Sequence, residues 1–416
     1  MIYCAFDAVR ESHSALPSEK IRTKLFLALA IIAVGLAGRS ALDKILAMRG
    51  GGELVALWAQ LSSLIEIVTA VVASGVGAGL SVLLAQAHLV ERQQLLLRRA
   101  LALGLAVSAP VALGAALAGW NASERLGGAA LAPRSAALAA LAGWIAVIHV
   151  LVNSYWLGQQ RRDLMLGLAF VSASVALAAA ALAPQPYLIE LLIVSQAAPA
   201  AVLLFVSHRA EAARRGHDHA LERYILPGVA IGILSPASML VVRSVVGESL
   251  SWHDSGVLQA LWRISDWVCG LAGGLLSVVY LPRMASAYPH PGIAPVLRES
   301  IRTILIPSAA LFVLLFAFHQ PLVEALYDPS FSAPATAVAL VFAGSVVRIA
   351  SWIPLVGLYA ARRTHAIAIG ELLSLPLFAA LALAAAEHLT LELIGVLWLC
   401  AYAAYAAFNF WMCARR

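Results

Sequence analysis

Long apolar stretches, each of about 20 residues, recur along almost the whole of this 416-residue chain. Hydrophobic residues make up 62% of the sequence and charged residues only 12%, whereas a soluble domain carries about 25% charged residues. A helix of about 20 apolar residues spans the hydrocarbon core of a bilayer. Twelve such stretches are found, at 22–45, 57–85, 98–120, 135–157, 164–183, 187–207, 225–246, 256–282, 302–320, 334–360, 366–386 and 391–413. We therefore predict an all-α polytopic membrane protein with about 12 transmembrane helices.

The basic residues orient these spans. If the N-terminus lies inside, most of the 28 Lys and Arg residues fall on inward segments. The outward segments then hold only Lys44, Arg49, Arg125 and Arg134. This asymmetry follows the positive-inside rule and predicts that both termini are cytoplasmic. Residues 1–21 lack the pattern of a signal peptide, and we expect a cytoplasmic tail there.

A basic segment at 208–224 divides the chain into an N-lobe of six spans, 22–207, and a C-lobe of six spans, 225–416. Both lobes begin inside, so an axis along the membrane normal would relate them, which is a common transporter architecture. A weak internal similarity supports a repeat, because aligning Glu66 with Asp266 gives each acid a preceding glutamine, Gln60 or Gln259. We expect two pseudo-symmetric lobes around a central cavity.

Several classes of function are not indicated. The four cysteines form no CxxC pair, so neither a disulfide framework nor a metal site is predicted. The sequence contains no P-loop and no clustered acid–base constellation, so we predict a protein that is not an enzyme, with no catalytic residues and no cofactor. The positive-inside rule accounts for the excess positive charge without a nucleic-acid partner.

Four arginines lie within the predicted spans. An arginine at the centre of a membrane helix costs about 2.5–3.5 kcal/mol on insertion scales, so such residues usually serve a function. Arg348 lies near the middle of its span, far from either surface. The other three intramembrane arginines are Arg39, Arg243 and Arg263.

The eighth span carries a polar stripe at helical spacing. Its members are Gln259, Arg263, Asp266, Gly270, Gly273 and Ser277. The second span has a similar stripe around Glu66. Such a stripe faces protein or water rather than lipid. Two interpretations remain: close helix packing with a local Arg263–Asp266 ion pair, or the charged wall of a water-filled cavity.

A cavity lined by arginines implies an anionic cargo. The guanidinium fork suits phosphate, because it makes bidentate hydrogen bonds. The candidate substrate-binding residues are Arg348, Arg263, Arg243, Arg39, Gln259 and Gln60. Asp266 and Glu66 would orient the arginines or carry a coupling proton or sodium ion. With no ATP-binding motif, a secondary transporter is the expected class.

Three segments resemble a known family. "LQALWRISDWVCGLAGGLLSVVYLPRM" (258–284) resembles the eighth-span region of bacterial O-antigen and lipid III flippases. "KILAMRGGGELVALWAQLSSLIEIVTAVVASGVGAGLSVLLAQ" (44–86) and "GLYAARRTHAIAIGELLSLPLF" (357–378) are similar to its first loop with second span and to its tenth-to-eleventh-span hairpin. This family belongs to the multidrug/oligosaccharidyl-lipid/polysaccharide exporter superfamily. The first loop departs from it, with Gly50-Gly51-Gly52 where the family often has Gly-Pro.

The resemblance implies a flippase for surface polysaccharide synthesis, of lipopolysaccharide O-antigen or enterobacterial common antigen. Its cargo would be an oligosaccharide on undecaprenyl pyrophosphate, moved from the cytoplasmic to the periplasmic leaflet while the polyprenyl tail stays among the membrane lipids. Other glycan assembly proteins would be its partners. The alternative within the superfamily is a multidrug antiporter coupled to protons or sodium ions. A membrane-anchored assembly partner in glycan synthesis also fits the sequence.

Overall fold

The computed structural model describes residues 18–85, 89–128, 131–207, 221–222, 225–287, 293–361 and 363–415, which form helices and their short connections and contain no β-strand. The α-helices, in chain order, are α1 (Ser18–Val72), α2 (Ala78–Ala85), α3 (Val90–Asn121), α4 (Ser123–Gly127), α5 (Pro133–Gly158), α6 (Arg162–Leu182), α7 (Leu188–Ser207), α8 (Ile225–Ser249), α9 (Trp252–Leu275), α10 (Leu281–Ala287), α11 (Ile293–Ser300), α12 (Ile306–Ala317), α13 (His319–Leu326), α14 (Ala335–Ala360), α15 (Thr364–Leu372), α16 (Leu375–Ala384) and α17 (Leu391–Ala414). Three π-helical turns interrupt them, at Ala73–Gly77, Leu276–Tyr280 and Ile301–Leu305.

Within this described part, eight helical segments are long and apolar enough to cross a membrane. They are Phe26–Leu84, Val90–Asn121, Pro133–Gly158, Arg162–Leu182, Ile293–Ala317, Ala335–Ala360, His365–Ala384 and Leu391–Ala414. The first contains two of the twelve predicted spans, and most of each predicted stretch is helical, although 366–386 is divided between α15 and α16. These features are those of the predicted all-α, multi-pass membrane protein.

The predicted loop between the first two spans is mostly helical. Only Gly50 and Gly51 leave the helical conformation, and Gly51 adopts φ 64°, a left-handed value that glycine reaches without a steric penalty. Gly52 then lies against the backbone of Gly256 at the start of α9, where any side chain on Gly256 would collide with Gly52. The glycines therefore supply a sharp kink and a close contact in place of a loop.

The chain divides into two compact units. The first unit contains Trp58–Leu240 and the chain up to Ile45, and the second contains Leu46–Leu57 and Val241–Arg416. Small residues bring helices of the first unit together: Ser81 donates to the carbonyl of Ser154 at 2.8 Å, and a Cβ on Gly77 would lie 2.8 Å from the Ser154 hydroxyl. Most of the predicted tail 1–21 and linker 208–224 lies outside the described residues, so the predicted lobe boundaries remain predictions.

In the second unit, α14 and α17 pack closely. A side chain on Gly344 of α14 would collide with the indole of Trp398, and a Cβ on Gly395 of α17 would lie 2.7 Å from the Cβ of Leu340. Glycine in a membrane helix lets the neighbouring backbone approach. As a result Trp398, which is only 1% exposed, lies directly on the backbone of α14.

Backbone geometry repeats between the two halves. The chain leaves α3 through Ala122 with φ −115° and ψ 20°, and it leaves α12 through Phe318 with φ −112° and ψ 20°. It enters α6 through Arg161 and α15 through Arg363, and both residues have φ −84° and ψ 65°. The same backbone conformations therefore recur at two corresponding connections of the halves, and the internal repeat remains a prediction.

Candidate functional site

The charged members of the α9 stripe are partly accessible on a helix that is buried at many other positions, whereas the apolar Leu271 is 42% exposed. Apolar residues on the other faces, such as Ile264, Val268 and Ala272, are at most 4% exposed. Arg263 and Asp266 are only partly buried. The two charged members of the stripe are therefore accessible, and the cavity-wall interpretation of the stripe remains a prediction.

Asp266 is paired with the arginine near the middle of α14. The Arg348 Nη1 donates to Asp266 Oδ1 at 3.1 Å, and the two side chains are 22% and 37% exposed. Sequence analysis had named one specific ion-pair partner for Asp266, Arg263, which lies one turn earlier on the same helix. The cross-helix pair joins two of the predicted site residues that lie 82 residues apart in sequence.

Three aromatic rings surround the Arg348 guanidinium. Its Cζ lies 5.0 Å from the ring centroid of Trp352, 5.8 Å from that of Trp398 and 5.7 Å from that of Tyr402. Each cation–π contact stabilises the cation by about 0.5–2 kcal/mol, depending on how dry the site is. The rings and Asp266 therefore hold the guanidinium in one place, although part of it remains accessible.

Several buried polar atoms of this arginine and of nearby residues have no hydrogen-bond partner among the described residues. They include Nε of Arg348 and the indole nitrogens of Trp262 and Trp398. Each is an N–H donor with no acceptor capacity. A buried donor without an acceptor costs about 1–3 kcal/mol.

A second arginine reaches the same face of α9 from α8. Arg243 is only 4% exposed, and its Nη1 donates to Oε1 of Gln259 at 2.9 Å. Ser255 on α9 also donates to the Arg243 carbonyl at 3.2 Å. The structure thus brings Arg243, Gln259, Arg263, Asp266 and Arg348 onto or against one helix face, with three positive charges and one negative charge among them.

The predicted residues of the first unit form a separate group. Arg39 Nη2 lies 3.9 Å from Glu66 Oε1, with side chains 61% and 51% exposed, so this ion pair contributes little stability. Gln60 is fully buried and donates to the Leu240 carbonyl at 3.2 Å. The small residues Ser63 and Ser81 of the second-span stripe are likewise buried, at 3% and 2% exposed.

Sequence analysis missed the residues of α17. Trp398, Tyr402, Tyr405 and Asn409 repeat at intervals of four, three and four residues, so they share one face of the helix. Their rings form a continuous row, with centroids 4.7 Å apart for Trp398 and Tyr402 and 6.3 Å apart for Tyr402 and Tyr405. The same spacing rule that identified the stripe of α9 would have identified this row.

No group of three or more His, Cys, Asp or Glu residues with the geometry of a metal site occurs in the ranges that the structure describes. Comparison with protein families and with curated proteins finds no match for the chain.

Solved structures, in contrast, are similar over nearly the full length. An inward-facing multidrug resistance MATE family transporter of the MOP superfamily aligns with a TM-score of 0.71 at 13% identity, over 93% of this chain and 96% of that one. An outward-facing transporter of the same description aligns with a TM-score of 0.57 at 14% identity, over 94% and 95%. A MOP superfamily transporter from Pyrococcus furiosus, described as having a binding pocket of reverse polarity that suggests a different function, aligns with a TM-score of 0.62 at 14% identity, over 93% of each chain.

These similarities define the class of fold. The chain has the helical fold of MATE transporters of the MOP superfamily, a group of membrane transporters and not of enzymes. This is the fold that the sequence resemblance implies, and membership of the superfamily remains a prediction. The flippase branch within it remains a prediction.

Proposed function

We propose that this protein is a secondary transporter that works by alternating access and carries an anionic, lipid-linked oligosaccharide. The observation that carries the proposal is the excess of positive charge on one face of α9. Arg243, Arg263 and Arg348 lie on or against this face, together with Asp266. An organic cation would be repelled by this excess, whereas a pyrophosphate would be attracted to it.

The surroundings of Arg348 also suit a glycan headgroup. Trp352 is partly buried and offers the face of a large ring beside the cation. Binding sites for organic ligands combine aromatic walls with a few well-placed polar groups. The sequence resemblance of 258–284 to O-antigen and lipid III flippases points to undecaprenyl pyrophosphate as the carrier of the glycan. The assignment to the inner membrane of a bacterium, and the presence of glycan assembly partners, rest on the same resemblance.

A polar path is what such a cargo requires. Moving a hydroxyl group from water into an alkane-like medium without a hydrogen bond costs about 4–8 kcal/mol, so a glycan does not cross the bilayer unaided. A transporter whose charged residues face a hydrated space removes most of this barrier, while the polyprenyl chain stays among the lipids. The interior-negative potential helps outward movement of an anion by about 2.3 kcal/mol per charge and 100 mV.

Multidrug efflux is the second candidate, and the descriptions of several similar structures favour it. Asp266 next to Trp352 and Tyr402 provides the acid and aromatic groups that an organic cation prefers. The similar structure from Pyrococcus furiosus, described as having reverse polarity in its pocket, indicates that this fold accommodates more than one pocket chemistry. The two candidates differ in the sign of the cargo's charge.

Depletion of the protein in its native cell separates the candidates. We expect one undecaprenyl-pyrophosphate oligosaccharide to accumulate on the inner leaflet, detected by mass spectrometry with leaflet-specific labelling. Complementation with Arg348→Ala should not relieve the accumulation, whereas Arg134→Gln should, because Arg134 forms an exposed ion pair with Glu190. If no lipid-linked glycan accumulates and the cells become sensitive to cationic drugs, the efflux candidate replaces this proposal.

A further inference from the structure

One exposed face of the helical segment Ile293–Ala317 changes from charged to apolar along its length. The segment is long and apolar enough to cross a membrane, and it consists of α11, a π-helical turn and α12 in succession. Exposed positions recur along it at intervals of three or four residues, which is the spacing of one helix face. They are Arg298, Arg302, Ile306, Ala310, Val313 and Ala317.

The apolar part of this face is suited to contact with lipid tails. Ile306 is 58% exposed and Val313 is 69% exposed, whereas Ile304 and Phe312 on the opposite side are 3% and 2% exposed. In a helix that crosses a membrane, exposed apolar side chains of this kind lie against hydrocarbon. The same exposed face therefore continues from hydrocarbon contacts to two arginines.

The two arginines lie where the hydrocarbon ends. A span of about 20 residues, or about 30 Å, counted back from Ala317 reaches Arg298. Arg302 lies about one helical turn deeper, from where a long arginine side chain extends to the headgroups. Both side chains are thus placed at the level of lipid phosphates.

The acid between these arginines in sequence is already paired elsewhere. Glu299 accepts two hydrogen bonds from Arg283, from Nη1 at 2.6 Å and from Nη2 at 2.7 Å. In the part of the chain that the structure describes, neither Arg298 nor Arg302 forms an ion pair with Asp or Glu. Two like charges four residues apart on a helix repel each other and destabilise it. An anion bound between them would remove this repulsion.

The spacing of the two arginines suits a phosphate group. Side chains four residues apart on a helix have Cβ atoms about 5–6 Å apart, so two guanidinium groups can reach the oxygens of one phosphate. The π-helical turn Ile301–Leu305, which carries Arg302, is tied to a neighbouring segment by a hydrogen bond between the hydroxyls of Thr303 and Tyr280. The backbone that presents Arg302 is therefore held in place before any ligand binds.

A comparable span in the first unit shows that arginine is not needed here for the helix itself. Ala122 and Phe318 follow α3 and α12 with nearly the same backbone angles. Counted back from these two residues, the positions that match Arg298 and Arg302 are Ala102 and Ala106, and both are exposed. The arginines are thus a feature of the second unit alone, at positions where alanine is compatible with the same exposed face.

We propose that Arg298 and Arg302 bind the phosphate of an anionic phospholipid whose acyl chains lie along Ile306 and Val313. A phospholipid is the occupant because the face combines a phosphate-binding end with an apolar stripe of membrane depth. An anionic headgroup complements the two positive charges, whereas the phosphate of phosphatidylcholine already carries its own cation. The site does not depend on the cargo of the proposed transport function.

The test uses the purified full-length protein in phosphatidylcholine nanodiscs that contain an increasing fraction of phosphatidylglycerol. We expect the thermal unfolding midpoint to rise with this fraction and to saturate, because a ligand that binds only the folded state stabilises it. Arg298→Ala/Arg302→Ala should lose at least half of the rise. The matched control, Arg161→Ala/Arg415→Ala, removes two exposed arginines from other segments predicted to face inward and should retain the rise.

Three results overturn the proposal. The first is a wild-type midpoint that does not respond to phosphatidylglycerol. The second is an equal response in the two double variants, whether retained or lost, since an equal loss would assign the effect to net surface charge. The third is an equal rise when soluble glycerol 3-phosphate is added to pure phosphatidylcholine nanodiscs, which would show that no lipid is required. If Arg298→Ala/Arg302→Ala does not fold, Arg298→Gln/Arg302→Gln replaces it, with Arg161→Gln/Arg415→Gln as its control.

Discussion

The guanidinium of Arg348 donates to Asp266 at 3.1 Å from a helix that follows 82 residues later in the chain, and it does so inside a ring of aromatic side chains. Both side chains of the pair are charged and partly accessible, and Arg348 lies near the middle of its membrane span. A structural ion pair needs no accessible face, and a freely hydrated arginine needs no aromatic cage. The combination supports the proposed role of Arg348 in binding an anionic ligand, because the cation is held in place but still reachable.

The pair should show thermodynamic coupling. Asp266→Ala leaves the Arg348 cation without its partner in a partly dry site, and we expect a loss of about 1–2 kcal/mol in unfolding free energy. The double variant Asp266→Leu/Arg348→Met should recover part of this loss, because it removes both charges and keeps apolar volume. The unfolding free energies of the wild type, the two single variants and the double variant form the required double-mutant cycle. Strictly additive losses would show that the two side chains do not interact.

The arginines of the α9 face should matter for transport more than for folding. Arg263→Ala and Arg348→Lys are expected to reduce glycan movement at least tenfold at normal protein abundance, since lysine keeps the charge but loses the guanidinium fork. Protein abundance is measured by immunoblot, and transport is measured as the amount of glycan at the cell surface. The matched control is Arg134→Gln, which removes an arginine that is 75% exposed. Loss of protein with normal transport per molecule would instead assign the arginines to packing.

Helix packing in the second unit makes a separate prediction. Gly344→Ala would drive a methyl group into the Trp398 indole, and we expect a destabilisation of about 1–3 kcal/mol from overpacking. Gly114→Ala is the control: it lies in α3 with no other atom within 4 Å of its Cβ position. That change should be neutral or stabilise by up to about 1 kcal/mol. Equal unfolding midpoints for the two variants would contradict the close contact.

The orientation of the chain can be tested by cysteine labelling. In a background without the native cysteines, Glu124→Cys in α4 should react with an impermeant maleimide in intact cells. Arg161→Cys, in the connection before α6, should react only after permeabilisation. Both positions are exposed, so access to the reagent is limited only by the membrane. The reverse pattern would invert the predicted topology, and with it the direction of the proposed transport.

Much of this fold could be predicted from the sequence, because the length of each apolar stretch and the number of basic residues in each connection can be read from single segments. The stripe of α9 was also predictable, since its spacing is that of one helix face. The partner of Asp266 was not predictable, because it depends on which distant helix packs against α9. Among intramembrane charges, Arg348 stood out by its depth in an apolar span.

The helix break after Glu371 was missed for a different reason. Its segment is apolar enough to pass as one continuous span, and the only local signals are Glu371, Ser374 and Pro376. Proline at the first turn of α16 is compatible with a helix start as well as with a bend. Whether such a span stays continuous depends on what satisfies its freed backbone groups, here the hydroxyl of Ser374, and a tertiary contact of that kind has no sequence period.

The central claim, that the cargo is an anionic lipid-linked glycan, is tested most directly in proteoliposomes. The purified protein is reconstituted with a fluorescent undecaprenyl-pyrophosphate oligosaccharide, and its movement between leaflets is compared with gradient-driven uptake of an organic cation such as ethidium. We predict that the protein accelerates movement of the glycan lipid, that Arg348→Ala abolishes the acceleration, and that ethidium is not taken up. Ethidium uptake without glycan-lipid movement would contradict the claim and identify the protein as a multidrug exporter.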